Sequence, residues 1–518
     1  MAVMLCAASL SIPAMAETTA GTEPVVIQVV HTNDIHGRSA HVTDKTVGFE
    51  KLATYIKQQD ADLVVDVGDL FHGQAFATLE QGGSIAELVK LVGYDAITPG
   101  NHDWNYGKDR LKELSTLAGV PVLAGNVTQN QENFFDNDGT FTKTVDGVKI
   151  GVFGVYDPDI KDSTAPRNVE GLAFADDARK ATELAQKLRD DGCEIVIALS
   201  HQLYCEDFIS RTKGIDVLIA GHEHTIMDAE YKDADGKAVK AVEVGSYFEN
   251  AGCLSITFDP AEKKIASMEE QLLSAQAAET LASDEAVSKK LSEIQARQKV
   301  QLTQVIGTTG VELDGRWENL RVQETSMGRL VTAAYLKETG ADIAFENAGG
   351  IRLGKLLPAG NITFQDVIDT APFGNYIVTK QLTGKAIRSI LEKSIEIGVQ
   401  NKVCYDEWLT TGSDQIRWPD GNGNCLQFGG LTAVYNPEKP VGERVISVNV
   451  GGETLNPEKL YTIATNNYIA LGGTYSELAD APELNQYSAC DEALIGFIRS
   501  EQATLDAVVS AVGVQQGE

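Results

Sequence analysis

With 518 residues, 43% hydrophobic and 23% charged, the chain has an ordinary globular composition and length for at least two compact units, which excludes a disordered or fibrous protein. Its net charge of -31, from 74 acidic against 43 basic residues, would repel polynucleotide phosphates and anionic membranes, so a nucleic-acid polymer is not an expected partner. A small anionic substrate remains compatible, because bound cations and a few arginines can reverse the field inside a cleft.

Residues 1-16, MAVMLCAASLSIPAMA, are uncharged and mostly apolar and end in the small-x-small pattern Ala14-Met15-Ala16, which reads as a secretory signal and places the protein outside the cytoplasm, periplasmic or secreted. No later stretch approaches about 18 continuous apolar residues, so no membrane span is expected, and no obligate protein partner is evident. Six cysteines would remain after cleavage. Cys404 is expected to pair with Cys425 across a Gly/Asp/Asn-rich excursion, while Cys193, Cys205, Cys253 and Cys490 are open to pairing or to burial as thiols.

From Val25 to about Asp259, short β-branched runs alternate with helical stretches and Gly/Asn/Asp turns, the pattern of an α/β layer architecture. Chemistry-bearing residues follow the runs. Val25 to Val30 leads into His31-Thr-Asn-Asp34-Ile-His36-Gly-Arg38, and Leu63 to Val67 into Gly68-Asp69. Ala96 to Thr98 leads into Gly100-Asn101-His102-Asp103, Ile195 to Leu199 into Ser200-His201, and Val217 to Ala220 into Gly221-His222-Glu223-His224.

Imidazole with carboxylate and no cysteine suits catalytic Zn, Mn, Fe or Co better than a structural finger or a Ca or Mg site. Two such ions about 4 Å apart can clamp a phosphoryl group and acidify a water. Each segment alone is a weak signal, since a histidine after a strand is more often packing than ligation. Besides His31, together they hold His36, His102, His201, His222 and His224, five of the eight histidines. His31, His41 and His72 are read as strand-end, surface and supporting groups and are left out of the site.

Residues 275-300 form one amphipathic linker helix, with Val287, Leu291 and Ile294 on one face and a cap at Ser283. A second α/β region follows over 301-518, with strands at Asp342 to Phe345 and Leu460 to Thr465 and a helix from Gly384 to Ile397.

The order D-x-H, G-D, G-N-H-[DE], S-H, G-H-x-H is similar to the calcineurin-like metallophosphoesterases, and HTNDIHGR resembles their bacterial 5'-nucleotidase and UDP-sugar hydrolase branch. The segments Glu346 to Arg352, Pro372 to Asn375, Leu382 to Gly384 and Tyr461 to Thr465 resemble the C-terminal domain of that branch. The resemblance implies a four-layer αββα metallophosphoesterase domain over 25-274, the linker helix and a C-terminal α/β substrate-binding domain. It implies two divalent metals, one held by Asp34, His36, Asp69 and His224, the other by Asp69, Asn101, His201 and His222, with His102 catalytic beside the phosphate. On the substrate side it implies Arg321, Asn347 and Arg352 near phosphate, and Phe373 and Tyr475 as two jaws on the nucleobase.

Two departures bear on this expectation. The branch carries a carboxylate three residues after the catalytic histidine, where this chain has Asn105, and it carries an arginine where this chain has Trp317. The form G-N-H-x-x-N-Y-G is similar to periplasmic 2',3'-cyclic-nucleotide phosphodiesterases. Three readings stand: a 5'-nucleotidase that could also cleave UDP-sugars, a cyclic-nucleotide phosphodiesterase with 3'-nucleotidase activity, and an exported binding protein without the chemistry.

Overall fold

The computed structural model describes residues 23-161, 163-412 and 415-517. The 1-16 segment read as a signal lies outside the described residues.

Two sheets stack face to face at the N-terminal end. The first runs in the order Lys264–Ser274, Asn250–Asp259, Val25–Thr32, Leu63–Asp66, Ala96–Ile97. The second runs Ile226–Lys232, Ala238–Val244, Val217–Gly221, Ile195–His201, Val148–Tyr156, Thr140–Val145. Side-chain alternation explains the layering. Ile27, Val29, Leu63 and Val65 point into the inter-sheet core against Val152, Ile197, Leu199 and Ile219. The intervening Val30 and Val64 meet the helices on one outer face, and Leu218 and Ala220 meet those on the other. Strands covered on both faces must be apolar at nearly every position, which is why they read as continuous hydrophobic runs.

The linker region differs from the single helix expected over 275-300. A short helix, Ala275–Ala278, is separated from the main one, Glu285–Leu302, whose cap is Asp284 and not Ser283: the Asp284 carboxylate accepts from the backbone of Ala286 and Val287. Val287, Leu291 and Ile294 bury into the N-terminal helix-facing core, and Arg297 pairs with Glu80 and Glu87. This helix therefore packs as part of the first unit, and the chain enters the second just beyond Leu302.

The second unit is built on a mixed sheet in the order Leu426–Gly429, Ile343–Asn347, Leu460–Asn466, Tyr376–Thr383, Glu483–Ala489, with its own apolar core. The helix expected from Gly384 to Ile397 continues to Thr411, with Gly398 where Cys425 packs against it and a left-handed Gly412 ending it. That helix also explains why the expected Cys404–Cys425 disulfide is absent. Cys425 Sγ sits against Ser394 and Gly398, whereas Cys404, six residues further on, is about 240° round and about 9 Å along the axis. All six described cysteines are free thiols. No described helix is long and apolar enough to cross a membrane.

Candidate metal centre

The segments singled out in the sequence leave the C-terminal ends of parallel strands in both N-terminal sheets, the edge where α/β sheets gather ligands. Asp34, His36, Asp69, His222 and His224 all lie in the left-handed region, with φ of 51°, 49°, 54°, 93° and 57°. Local backbone strain of this kind persists only where surrounding structure enforces it. Here Asp34 N donates to Gly68 O at 2.9 Å and His36 N to Asp69 O at 2.7 Å, locking the first two loops together. Asp103 fixes the Gly-Asp loop, because its two carboxylate oxygens accept from the backbone of Asp69, Leu70, Phe71 and Gly100 at 2.8 to 3.0 Å. Gly100 permits this crossing; a Cβ there would stand 2.2 Å from Asp69 Oδ1.

The seven residues expected as ligands converge. His224 Nε2 is 3.2 Å from Asp34 Oδ1 and 3.2 Å from His36 Nε2, and His201 Nε2 is 3.4 Å from Asp69 Oδ2 and 3.7 Å from Asp34 Oδ1. His222 Nδ1 lies 3.0 Å from Asn101 Oδ1. The Asn101 amide nitrogen is committed to Ser163 O and to Gln486 Oε1, which turns its oxygen toward the cluster. His201 Nδ1 meets Val67 O at 2.7 Å, the backing that aims the other ring nitrogen at a cation.

Two buried atoms pointing into the cluster, Asp34 Oδ1 and His201 Nε2, have no hydrogen-bond partner. Groups with ligand atoms within 4.8 Å of one another are Asp34, His36 and His224; Asp34, Asp69 and His201; and His36, Asp69 and His102. Electrostatics agrees with a cation site. Burial would raise the Asp34 carboxyl, yet His201 and His224 hold it down at about 2. Burial would lower the His201 imidazole, yet Asp69 and Asp34 lift it to about 10. Buried carboxylates that draw a proton onto a neighbouring ring are arranged to hold positive charge. The donor set therefore fits divalent metal.

His102 opens a short helical turn beside this cluster, with its backbone N donating to Asp69 Oδ1 at 2.8 Å. Asn105 Nδ2 stands 3.0 Å from His102 Nδ1, and Asn105 Oδ1 accepts from Thr164 at 2.9 Å. The amide thus presents its donor to the ring and leaves Nε2 as the N–H. Tyr376, from the second unit, packs its ring 4.4 Å from that of His102.

Beside the cluster, the two units enclose a cavity of about 630 Å³ lined by Arg38, Tyr247, Asn347, Phe373, Asn424 and Tyr468. Phe373 is 49% exposed. Tyr475, expected as the second jaw, does not face this cavity: it is 1% exposed, sits in the C-terminal core and donates its hydroxyl to Asn424 O at 2.6 Å. Tyr468, 61% exposed, is the ring that faces the cavity with Phe373. Arg352 stacks on Trp317 at 4.7 Å and lies 5.8 Å from the Phe373 ring, while Arg321 is held behind the wall by Asn422 Oδ1 and Trp317 O. Arg38, the last residue of the first motif and no candidate by sequence, joins the site here: its guanidinium lies over Tyr247 at 4.2 Å, and the Tyr247 ring is 5.2 Å from that of His36.

Comparison with known proteins locates both halves. Residues 27-225 match the family model for calcineurin-like phosphoesterase, and residues 305-480 match that for the 5'-nucleotidase C-terminal domain. The trifunctional nucleotide phosphoesterase protein YfkN of Bacillus subtilis is 26% identical over 88% of this chain, which spans only 32% of that longer protein. Protein UshA of Yersinia enterocolitica is 25% identical, over 93% of this chain and 92% of its own. The NAD nucleotidase of Haemophilus influenzae shares the fold, with a TM-score of 0.76 at 21% identity over 96% of this chain and 99% of that one.

Proposed function

Because the chain belongs to the 5'-nucleotidase and UDP-sugar hydrolase family of calcineurin-like metallophosphoesterases, and is thus a metal-dependent phosphoester hydrolase, we propose that it is an exported dinuclear enzyme releasing phosphate from nucleoside 5'-monophosphates. The observation that carries this reading is the juxtaposition of the seven-residue donor cluster with a cavity faced by two exposed aromatic rings. Export rests on the uncharged 1-16 segment.

In this reading Asp34, His36, Asp69 and His224 hold one metal and Asp69, Asn101, His201 and His222 the other. Two cations held there would place positive charge against the phosphoryl oxygens and lower the pKa of the attacking water. His102 donates from Nε2 to the phosphoryl or leaving-group oxygen. Arg352 and Asn347 border the phosphate side. Phe373 and Tyr468 sandwich the base, replacing the pair first expected from the sequence.

Stacking is worth about 1 to 3 kcal/mol per base on each ring, so Phe373→Ala and Tyr468→Ala should each raise KM for AMP roughly 5- to 150-fold. Tyr475→Phe, which removes only a core hydroxyl, should leave KM within about twofold. Steady-state kinetics on the three variants checks this. An unchanged KM in Tyr468→Ala would take that ring out of the clamp.

Asn105 favours a second reading, the 2',3'-cyclic-nucleotide phosphodiesterase with 3'-nucleotidase activity. A panel of AMP, UDP-glucose, 2',3'-cyclic AMP and 3'-AMP, run on wild type and Asn105→Asp, separates the two. We expect AMP to be turned over fastest by both proteins. Faster turnover of 2',3'-cyclic AMP by wild type would put the second reading in place of the first.

A further inference from the structure

His72, by sequence only a supporting group, is 1% exposed, and its Nε2 meets Glu492 Oε2 at 2.6 Å. Glu492 lies 420 residues away, in the first turn of the helix Cys490–Ser500 of the second unit, where its carboxylate also accepts from the backbone of Ala489. The neighbouring Asp491 accepts from Thr78 at 3.1 Å, so this helix start is fastened to the metal-bearing unit at two points. The His72 ring stacks parallel to that of His102, with 5.6 Å between centroids and 5° between planes. The Asn105 amide nitrogen reaches both rings, 3.0 Å from His102 Nδ1 and 3.3 and 3.4 Å from the His72 Nδ1 and Nε2 atoms, of which Nε2 is already engaged by Glu492.

A histidine that donates or accepts at a reacting phosphate needs its ring orientation and tautomer fixed from behind, a task a carboxylate commonly performs. Asn105 supplies no charge for it. Asp103 cannot substitute, because its oxygens already accept four backbone N–H groups. Glu492 is the carboxylate that reaches the arrangement, one ring removed.

We propose that Glu492 and His72 are positioning residues for His102, acting through Asn105, so that the orienting carboxylate of this enzyme comes from the C-terminal unit and is in place only when the two units are docked as here. Glu492 accepts from His72 Nε2–H, which leaves His72 Nδ1 free to accept from Asn105. The second amide hydrogen of Asn105 then faces His102 Nδ1, with Thr164 holding the amide oxygen. The inference rests on the role given to His102 above.

The test is AMP hydrolysis by wild type, Glu492→Gln, Asn105→Asp and Asn105→Asp/Glu492→Gln, with His102→Ala in the same series. Glu492→Gln should lower kcat about tenfold with KM within about twofold. In the Asn105→Asp background, where a carboxylate contacts His102 directly, adding Glu492→Gln should change kcat by less than about twofold. His72→Phe keeps a stacked ring without its nitrogens and should reproduce the Glu492→Gln loss, which covers poor folding of the glutamine variant. A wild-type kcat in Glu492→Gln, or an equal loss in both backgrounds, overturns the inference even if His102→Ala is inactive. A wild-type kcat in His102→Ala overturns the parent reading and this one with it.

Discussion

Asp69→Asn is expected to lower kcat for AMP by at least about 10³-fold and to reduce bound metal from two ions per chain to one or none. The expectation follows from where the carboxylate stands. Asp69 is 2% exposed, its Oδ2 is 3.4 Å from His201 Nε2 and 3.8 Å from His36 Nε2, and its Oδ1 accepts from His102 N. It therefore touches residues assigned to both metals and the residue assigned to the phosphate. An amide of the same shape keeps one acceptor but removes the charge that a shared ligand must supply. The His102 N contact survives if the amide oxygen faces it, so the fold should persist. Metal analysis and steady-state kinetics with circular dichroism check the three parts; full metal content with full activity would remove Asp69 from the bridge.

The second large effect is on His102. His102→Ala should lower kcat about 10²- to 10⁴-fold while leaving both metals bound and KM for AMP within a fewfold of wild type. The ring is deeply buried, and burial, with His72, His201 and His224 against the pull of Asp69, takes its pKa down to about 3. His102 is thus neutral throughout the working pH range, a hydrogen-bond donor at Nε2 and not an imidazolium. The acid limb of the wild-type kcat/KM profile should accordingly show no group near pH 6 to 7 that His102→Ala removes. Kinetics across pH 5 to 9 checks this, and loss of such a limb in the variant would assign a charged role to the ring.

Much of the site was legible because buried parallel strands must be apolar along their length, so a sudden Asp, His or Asn at a strand end stands out. Asp34, Asp69, Asn101, His201 and His222 were visible for that reason. What escaped depends on contacts that local sequence does not encode. Tyr468, in the short helix Asn467–Ala470, and Tyr475, just before the next helix, lie seven residues apart, and the packing of Tyr475 against Asn424 decides which ring enters the core. Ser283 and Asp284 are adjacent and both competent as caps, and the register of the helix on its core selects Asp284. Cys404 and Cys425 bracket an excursion that a staple would close, but the helix through Gly398 carries Cys404 round to a face other than the one Cys425 packs on. Glu492 carries no motif at all, and its meeting with His72 exists only through the docking of two units.

The proposed function requires that two cations share Asp69 and together make this chain a nucleotide phosphohydrolase. Its most direct test is to strip the purified protein of metal and titrate it with Mn²⁺ while following phosphate release from AMP. Activity should stay low through the first equivalent and rise to its plateau with the second. Full activity at one equivalent, or none at any loading, would contradict it.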